Sequence, residues 1–125
     1  MATLTAQLDI RLKRAYEPAS ANDGARVLVD RLWPRGVTKE KAAIDHWFRD
    51  LAPSTELRQW FGHEVARWAE FQRRYMAELK YQADQLDELC RLARRGAMTL
   101  VFGARDEEHN AAIVLKQALL EHSKQ

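Results

Sequence analysis

Three short apolar runs, Leu8–Leu12, Val27–Val29 and Ala97–Phe102, constrain what this chain can fold into more than anything else in it. Each is too short for a helix and is flanked by charged or turn-forming residues, as strands are. In the first, Leu8, Ile10 and Leu12 alternate with Asp9, Arg11 and Lys13, the period of a strand with one buried face. The second is apolar throughout and runs straight into Asp30 and Arg31, as expected of a strand covered on both faces. Between the second and third lie segments whose apolar residues recur every three or four positions, the mark of helices. Strands separated by helical crossovers predict an α/β fold: a small, mainly parallel sheet of about three to five strands covered by helices. The reading is one layered domain over residues 1–125, with the first strand free to lie antiparallel at an edge.

Local signals fill in the elements. Pro18, Ser20, Asn22, Asp23 and Gly24 form a dense turn region, in which Asp23-Gly24 suits a hairpin-like connection. Thr38 can cap a turn or two of helix over Lys39 to Ala43, and Ile44 to Leu51 reads as a short strand or an irregular packed segment. Pro53-Ser54 is a stop followed by a cap, so a short helix is expected from Thr55 to Phe61, ended by Gly62. Val65, Trp68, Phe71, Tyr75, Met76 and Leu79 predict a longer helix from Glu64 to Tyr81. Leu86, Leu89, Cys90 and Ala93 predict another from Ala83 to Arg94, closed by a cationic last turn and Gly96. A last helix takes Asp106 as its cap and buries Ala111, Ala112, Leu115, Ala118 and Leu119.

Composition then narrows the function. In 125 residues, a 46% hydrophobic and 30% charged composition is that of a globular chain large enough to hold a core without staples. The net charge of +2, from 20 basic and 18 acidic residues, is too balanced to make nucleic acid or an anionic membrane the main partner. Arg91, Arg94 and Arg95, together with exposed aromatics, leave nucleic-acid binding as a third option behind the two given below. The first residues, Met1 to Gln7, resemble no secretory leader and no apolar stretch is long enough to span a bilayer, so the cytoplasm is the expected location, as a monomer or homodimer. Cys90 is alone and at helical spacing with apolar neighbours, a structural thiol rather than a nucleophile. His46, His63, His109 and His122 show no ligand spacing with it or with each other, so no metal is expected. Without Gly-x-Gly-x-x-Gly, a phosphate-loop lysine or a Gly-x-Ser-x-Gly elbow, no nucleotide cofactor or serine hydrolysis is expected either.

In open α/β sheets, ligands sit beyond the carboxyl ends of the strands. Two segments qualify here: Asp30-Arg31-Leu32-Trp33-Pro34-Arg35-Gly36 and Gly103-Ala104-Arg105-Asp106. In the first, Arg31 and Arg35 can grip a phosphate or carboxylate as an anion clamp, with Asp30 orienting an arginine or accepting a proton. The structural alternative is an ion pair under a Trp33 lid. Arg105 could add a cation, but Asp106, Glu107 and Glu108 in the same helical turn would repel an anion. His63 is either an exposed acid/base or a helix cap, and Ser54 is better explained as a cap than as a nucleophile. Arg58, Arg74 and Tyr75 can reach the same cleft, and Asn110 faces it if the last helix starts at Asp106.

The chain resembles the YeaO-like family of small bacterial proteins of unknown function. The resemblance runs over nearly its whole length, through Val27-Leu28-Val29-Asp30-Arg31-Leu32-Trp33-Pro34-Arg35-Gly36, Leu51-Ala52-Pro53-Ser54-Thr55-Glu56-Leu57-Arg58, Phe61-Gly62-His63 and Asp106-Glu107-Glu108-His109-Asn110. It implies a shared fold and no agreed activity. A wider group similar around the last strand carries cysteine and histidine there; Phe102, Asn110 and Ala111 stand in that region here, so thiol or metal chemistry is not carried over. The expectation is a cleft for an anionic small molecule, lined by catalytic candidates Asp30 and His63 and binding candidates Arg31, Trp33, Arg35, Arg58, Arg105 and Asn110, with catalysis an open question. The rival is a non-enzymatic interaction module that uses Trp33, Trp47 and Trp60 as a surface patch.

Overall fold

A computed structural model of the chain describes residues 8–124, so the expectation about the first residues, 1–7, lies outside the described residues. The elements run β1 (Ile10–Arg14), β2 (Ala25–Leu28), α1 (Lys39–Ala42), β3 (His46–Trp47), α2 (Thr55–Phe61), α3 (Trp68–Leu79), α4 (Ala83–Arg95), β4 (Met98–Phe102) and α5 (Ala111–His122). The four strands form one sheet in the order β1-β4-β2-β3. Every pairing is parallel, with Ile10, Leu12 and Arg14 opposite Met98, Leu100 and Phe102, and Ala25 and Val27 opposite Met98 and Leu100 on the other side. The α/β class is therefore as expected.

Two local expectations are overturned by this topology. β1 lies at an edge but parallel, because its only neighbour among the described residues is β4, which enters the sheet in the same direction. Asp23-Gly24 does not close a hairpin, since β4 is inserted between β1 and β2; the Gly24 turn instead brings the start of β2 onto Ala97, whose carbonyl accepts the Ala25 N–H at 3.0 Å. A Cβ at residue 24 would stand 2.0 Å from that carbonyl oxygen, and its φ of +65° is left-handed, so only glycine fits.

The alternation of side chains divides the sheet into unlike faces. Ile10, Val27, Met98, Leu100 and Phe102 point toward α2–α5 and make the main core with Phe71, Tyr75, Leu89, Leu115 and Leu119. Ala15, Leu28 and Val101 point the other way and are covered by Trp33, Ile44 and Trp47. Trp33 and Ile44 belong to the connection through α1, which is too brief to cover a face by itself, and Trp47 belongs to β3. The remaining second-face positions are polar: Arg26 and Thr99 are buried there, Arg26 bonding Asp23 at 2.6 Å and the Ala42 carbonyl at 2.8 Å, and Thr99 donating to the Asp23 carbonyl at 2.8 Å.

Ser54 caps α2 as expected, accepting the Leu57 N–H, and Thr38 caps α1 through the Lys41 N–H. Cys90 is buried against the Leu119 carbonyl, and burial pushes its thiol up, as befits a structural residue. The long helix expected from Glu64 is shorter. Gly62 and His63 are both left-handed, at φ 51° and 61°, and throw the chain into a 3-10 turn over Val65–Arg67 before α3 begins at Trp68. Val65 is consequently more than half exposed instead of joining the stripe. The last helix also starts later than expected, for a reason that belongs to the site.

Candidate functional site

Beyond the carboxyl ends of β2 and β4 the chain leaves the sheet in two loops, and a cavity of about 300 Å³ opens between them. Asp30, Arg31, Trp33, Arg35, Arg58, His63 and Asn110 all line it, so all but one of the candidate residues meet at one place. Arg105 is the exception. It is exposed on the second loop, and its neighbours Gly103 and Ala104 supply the wall instead. The floor is apolar, built from Phe61, Phe71, Phe102 and Ala111.

Asp30 lies where β2 becomes loop. Its Oδ2 accepts the Gly103 N–H at 2.8 Å, tying the first loop to the second, and no other protein donor reaches its carboxylate among the described residues. Burial raises its pKa above the ordinary carboxylate range; that bond and the charges of Arg58 and His63 pull it back only in part. Neither Arg58 nor His63 is in salt-bridge contact with it among the described residues, although all three border the same cavity.

The two loop arginines have different surroundings. The Arg31 side chain is half-buried; its Nη2 leans on the carbonyls of Ala52 and Pro53 at 3.3 and 3.4 Å, while Nε is buried without a partner. Arg31 thus braces the loop against the start of α2 at the same time as it borders the cavity. Arg35 is exposed; its carbonyl accepts the Tyr16 hydroxyl at 3.0 Å, which straps the loop to the chain leaving β1. Pro34 is buried, and the Trp33 indole N–H donates to Val37 O at 2.6 Å. Trp33 packs edge-on against Trp47, whose own N–H donates to the Asp30 carbonyl at 2.7 Å. Trp60 sits apart, under the guanidinium groups of Arg67 and Arg74.

Arg58 is exposed as the fourth residue of α2. His63 is not a helix cap: Glu64 precedes the 3-10 turn and no side chain caps it. His63 is instead exposed beside Phe61, at a backbone angle that costs a non-glycine residue roughly 1 kcal/mol. Ser54 is held twice by Glu78 of α3, through N–H to Oε1 at 2.8 Å and hydroxyl to Oε2 at 2.6 Å, and does not border the cavity. Tyr75 is also removed from the cavity: it is fully buried, donates to the Leu51 carbonyl, and burial drives its phenol far upward. Arg74 pairs with Glu70 on α3.

The expected cap of the last helix is corrected. Asp106 closes a turn of its own, accepting the N–H groups of Glu108 and His109, bonds that hold its carboxyl below the usual range. Asn110 is the cap of α5: its Oδ1 accepts the Ile113 N–H and its Nδ2 donates to the Asp106 carbonyl, and it is almost wholly buried at the cavity wall. Both are short polar residues that cap well, so spacing alone could not choose between them. Asp106, Glu107 and Glu108 therefore precede the helix and do not occupy its first turn. His109 is the polar group that sequence reasoning passed over. Its Nδ1 lies 2.9 Å from Asp106 Oδ2 and its ring stands edge-on to Trp68, just behind the cavity; the only signal was its position three residues after Asp106.

Among the described residues no group of histidine, cysteine or acidic side chains could hold a metal ion, and no helix is long and apolar enough to cross a membrane.

Comparison with known proteins places the chain in a family. Residues 9–125 match the family model described as the inactive DUF488-N3 subclade. The uncharacterised protein YeaO of Escherichia coli is 43% identical over 108 residues, which cover 86% of this chain and 94% of that protein. Uncharacterised proteins of Mycobacterium bovis and Mycobacterium tuberculosis are each 42% identical over 110 residues, covering 88% of this chain and 92% of theirs. No solved structure matches the chain. The chain belongs to the inactive DUF488-N3 subclade, a YeaO-like family of uncharacterised proteins.

Proposed function

We propose that this protein binds an anionic small molecule, bearing a carboxylate or phosphate, in the strand-end cavity, and that it acts in the cytoplasm. The observation that carries the reading is the rim. Arg35, Arg58 and His63 border the cavity, are exposed, and are in no ion pair among the described residues. Exposed arginines around a concave apolar floor, facing a lone carboxylate, Asp30, with which they form no ion pair among the described residues, favour an anion. Arginine forks suit planar oxyanions, and Arg31 stiffens the loop that presents Arg35.

The family description contains the word inactive, in keeping with binding rather than turnover. Asp30 and His63 are then ligand contacts, not base and acid. The test is calorimetric titration of wild type and of an Arg35→Ala/Arg58→Ala variant with inorganic phosphate and a panel of carboxylated and phosphorylated metabolites. The variant should keep its circular dichroism spectrum and lose roughly tenfold or more in affinity for whatever anion binds. Equal affinity in the two proteins would remove the clamp.

A further inference from the structure

Three parts of the cavity differ in chemistry and have fixed places. The apolar floor is Phe61, Phe71 and Phe102. The Arg58 guanidinium and the His63 imidazole are at the rim, on the α2 side. The acid Asp30 is set deeper and is held by Gly103 N–H through one oxygen only. The volume, about 300 Å³, lies at the lower end for ligand cavities and is enough to hold a molecule of amino-acid size.

A purely anionic ligand fits this arrangement poorly. Drawn in by the rim, it would lie near a withdrawn carboxylate of the same sign, in a setting where water screens little. Asp30 already holds its proton more tightly than a free carboxyl does, because burial penalises its charge and the protein supplies a single N–H to offset it. A ligand that brought its own donor would relieve both problems, since it would satisfy Asp30 and direct its negative end at Arg58 and His63.

Resting on the anion-binding reading above, we infer that the ligand is a zwitterion with an apolar side chain, of the α-amino acid type. Its ammonium group meets Asp30, its carboxylate meets Arg58 and the exposed rim, and its side chain lies on Phe61, Phe71 and Phe102. Asp30 is thereby a specificity-determining residue: it selects amino acids against the corresponding deaminated acids. Asp30 and Arg58 border one cavity without forming a salt bridge among the described residues, and the ligand's two charges pair with them separately.

The experiment is titration of the full chain with matched probes: L-phenylalanine and L-leucine, the deaminated acids 3-phenylpropionate and 4-methylpentanoate, the amines 2-phenylethylamine and 3-methylbutylamine, and inorganic phosphate. At least one amino acid should bind tenfold or more tightly than its deaminated acid and its amine. Asp30→Asn, whose side-chain oxygen can still accept the Gly103 N–H, should bring the amino acid down to the level of the deaminated acid and leave that acid unchanged or tighter. Deaminated acids that bind as well as the amino acids would overturn the zwitterion and leave the anion clamp standing. Amines that bind as tightly as the amino acids, with the acids and phosphate silent, would overturn both. Silence from every probe would do the same.

Discussion

Asp23 precedes β2 and Asp30 follows it, and both carboxylates are withdrawn from water, yet one is caged by ion pairs and the other rests on a single backbone N–H. Asp23 is bonded by Arg26 at 2.6 Å, by Lys13 at 3.1 Å and by the Ser20 N–H at 2.9 Å. Burial works to raise its pKa, but these partners together hold it below the ordinary value. At the other end of the strand Arg58 and His63 are near Asp30 without touching it, and burial wins. The amino ends of the strands thus close on themselves, while the carboxyl ends leave charges for something else to satisfy. That is the division expected where one rim of a parallel sheet serves stability and the other serves binding.

Substitutions can break this contrast. Gly24→Ala should be the most damaging, since it adds a clash with Ala97 O to a left-handed backbone; roughly 4 kcal/mol is expected, enough to unfold much of the protein in a urea titration. Asp23→Ala leaves Arg26 buried without its counter-ion and should cost about 3 kcal/mol by the same measurement. Gly36→Ala, at the open end, meets no atom within 4 Å and pays only for its φ of +80°, about 1 kcal/mol. A loss for Gly36→Ala as large as that for Gly24→Ala would erase the distinction between the rims.

The smallest effect is the most diagnostic, because the two acids respond to pH with opposite sign. The folded pKa of Asp23 lies below 3.8, so its contribution is present above 3.8 and is lost as pH falls through the folded value. The folded pKa of Asp30 lies above 3.8, so its ionisation weakens the fold as pH rises from 3.8 through the folded value. Asp30→Asn should therefore be neutral or slightly stabilising at pH 7, by less than about 1 kcal/mol, with the gain fading as the pH falls to 3.8. Thermal unfolding across pH 3 to 8 reads this directly, and a variant clearly less stable than wild type at pH 7 would mean that the Asp30 charge is structural after all.

Much of this was readable from residues. Short apolar runs placed the three main strands, period-3.6 patterns the helices and Pro53-Ser54 a cap, and the strand-end rule brought Asp30, Arg31 and Arg35 to one cavity. What escaped was set by contacts distant in sequence. Nothing near β1 says that its partner is β4, almost ninety residues on, and so neither its direction nor the failure of the Asp23-Gly24 hairpin was visible. The choice between Asp106 and Asn110 as a cap depended on which one the turn before α5 consumed. That His63 does not cap a helix was hidden, because nothing in the sequence announces its left-handed backbone. Arg31 and Arg35 looked alike four residues apart; only the carbonyls of Ala52 and Pro53 tell the brace from the free cation.

The insertion of β4 also bears on how the chain is made. β1 and β2 share no ladder and are joined only through β4, which is complete at residue 102. On a ribosome adding about 5–20 residues per second, the first two strands wait several seconds for the strand that unites them. Throughout that interval Val27, Leu28 and Val29 have no sheet partner on the β4 side and remain candidates for chaperone capture. Closure of the sheet and formation of the cavity floor, through Phe102, are then one late event.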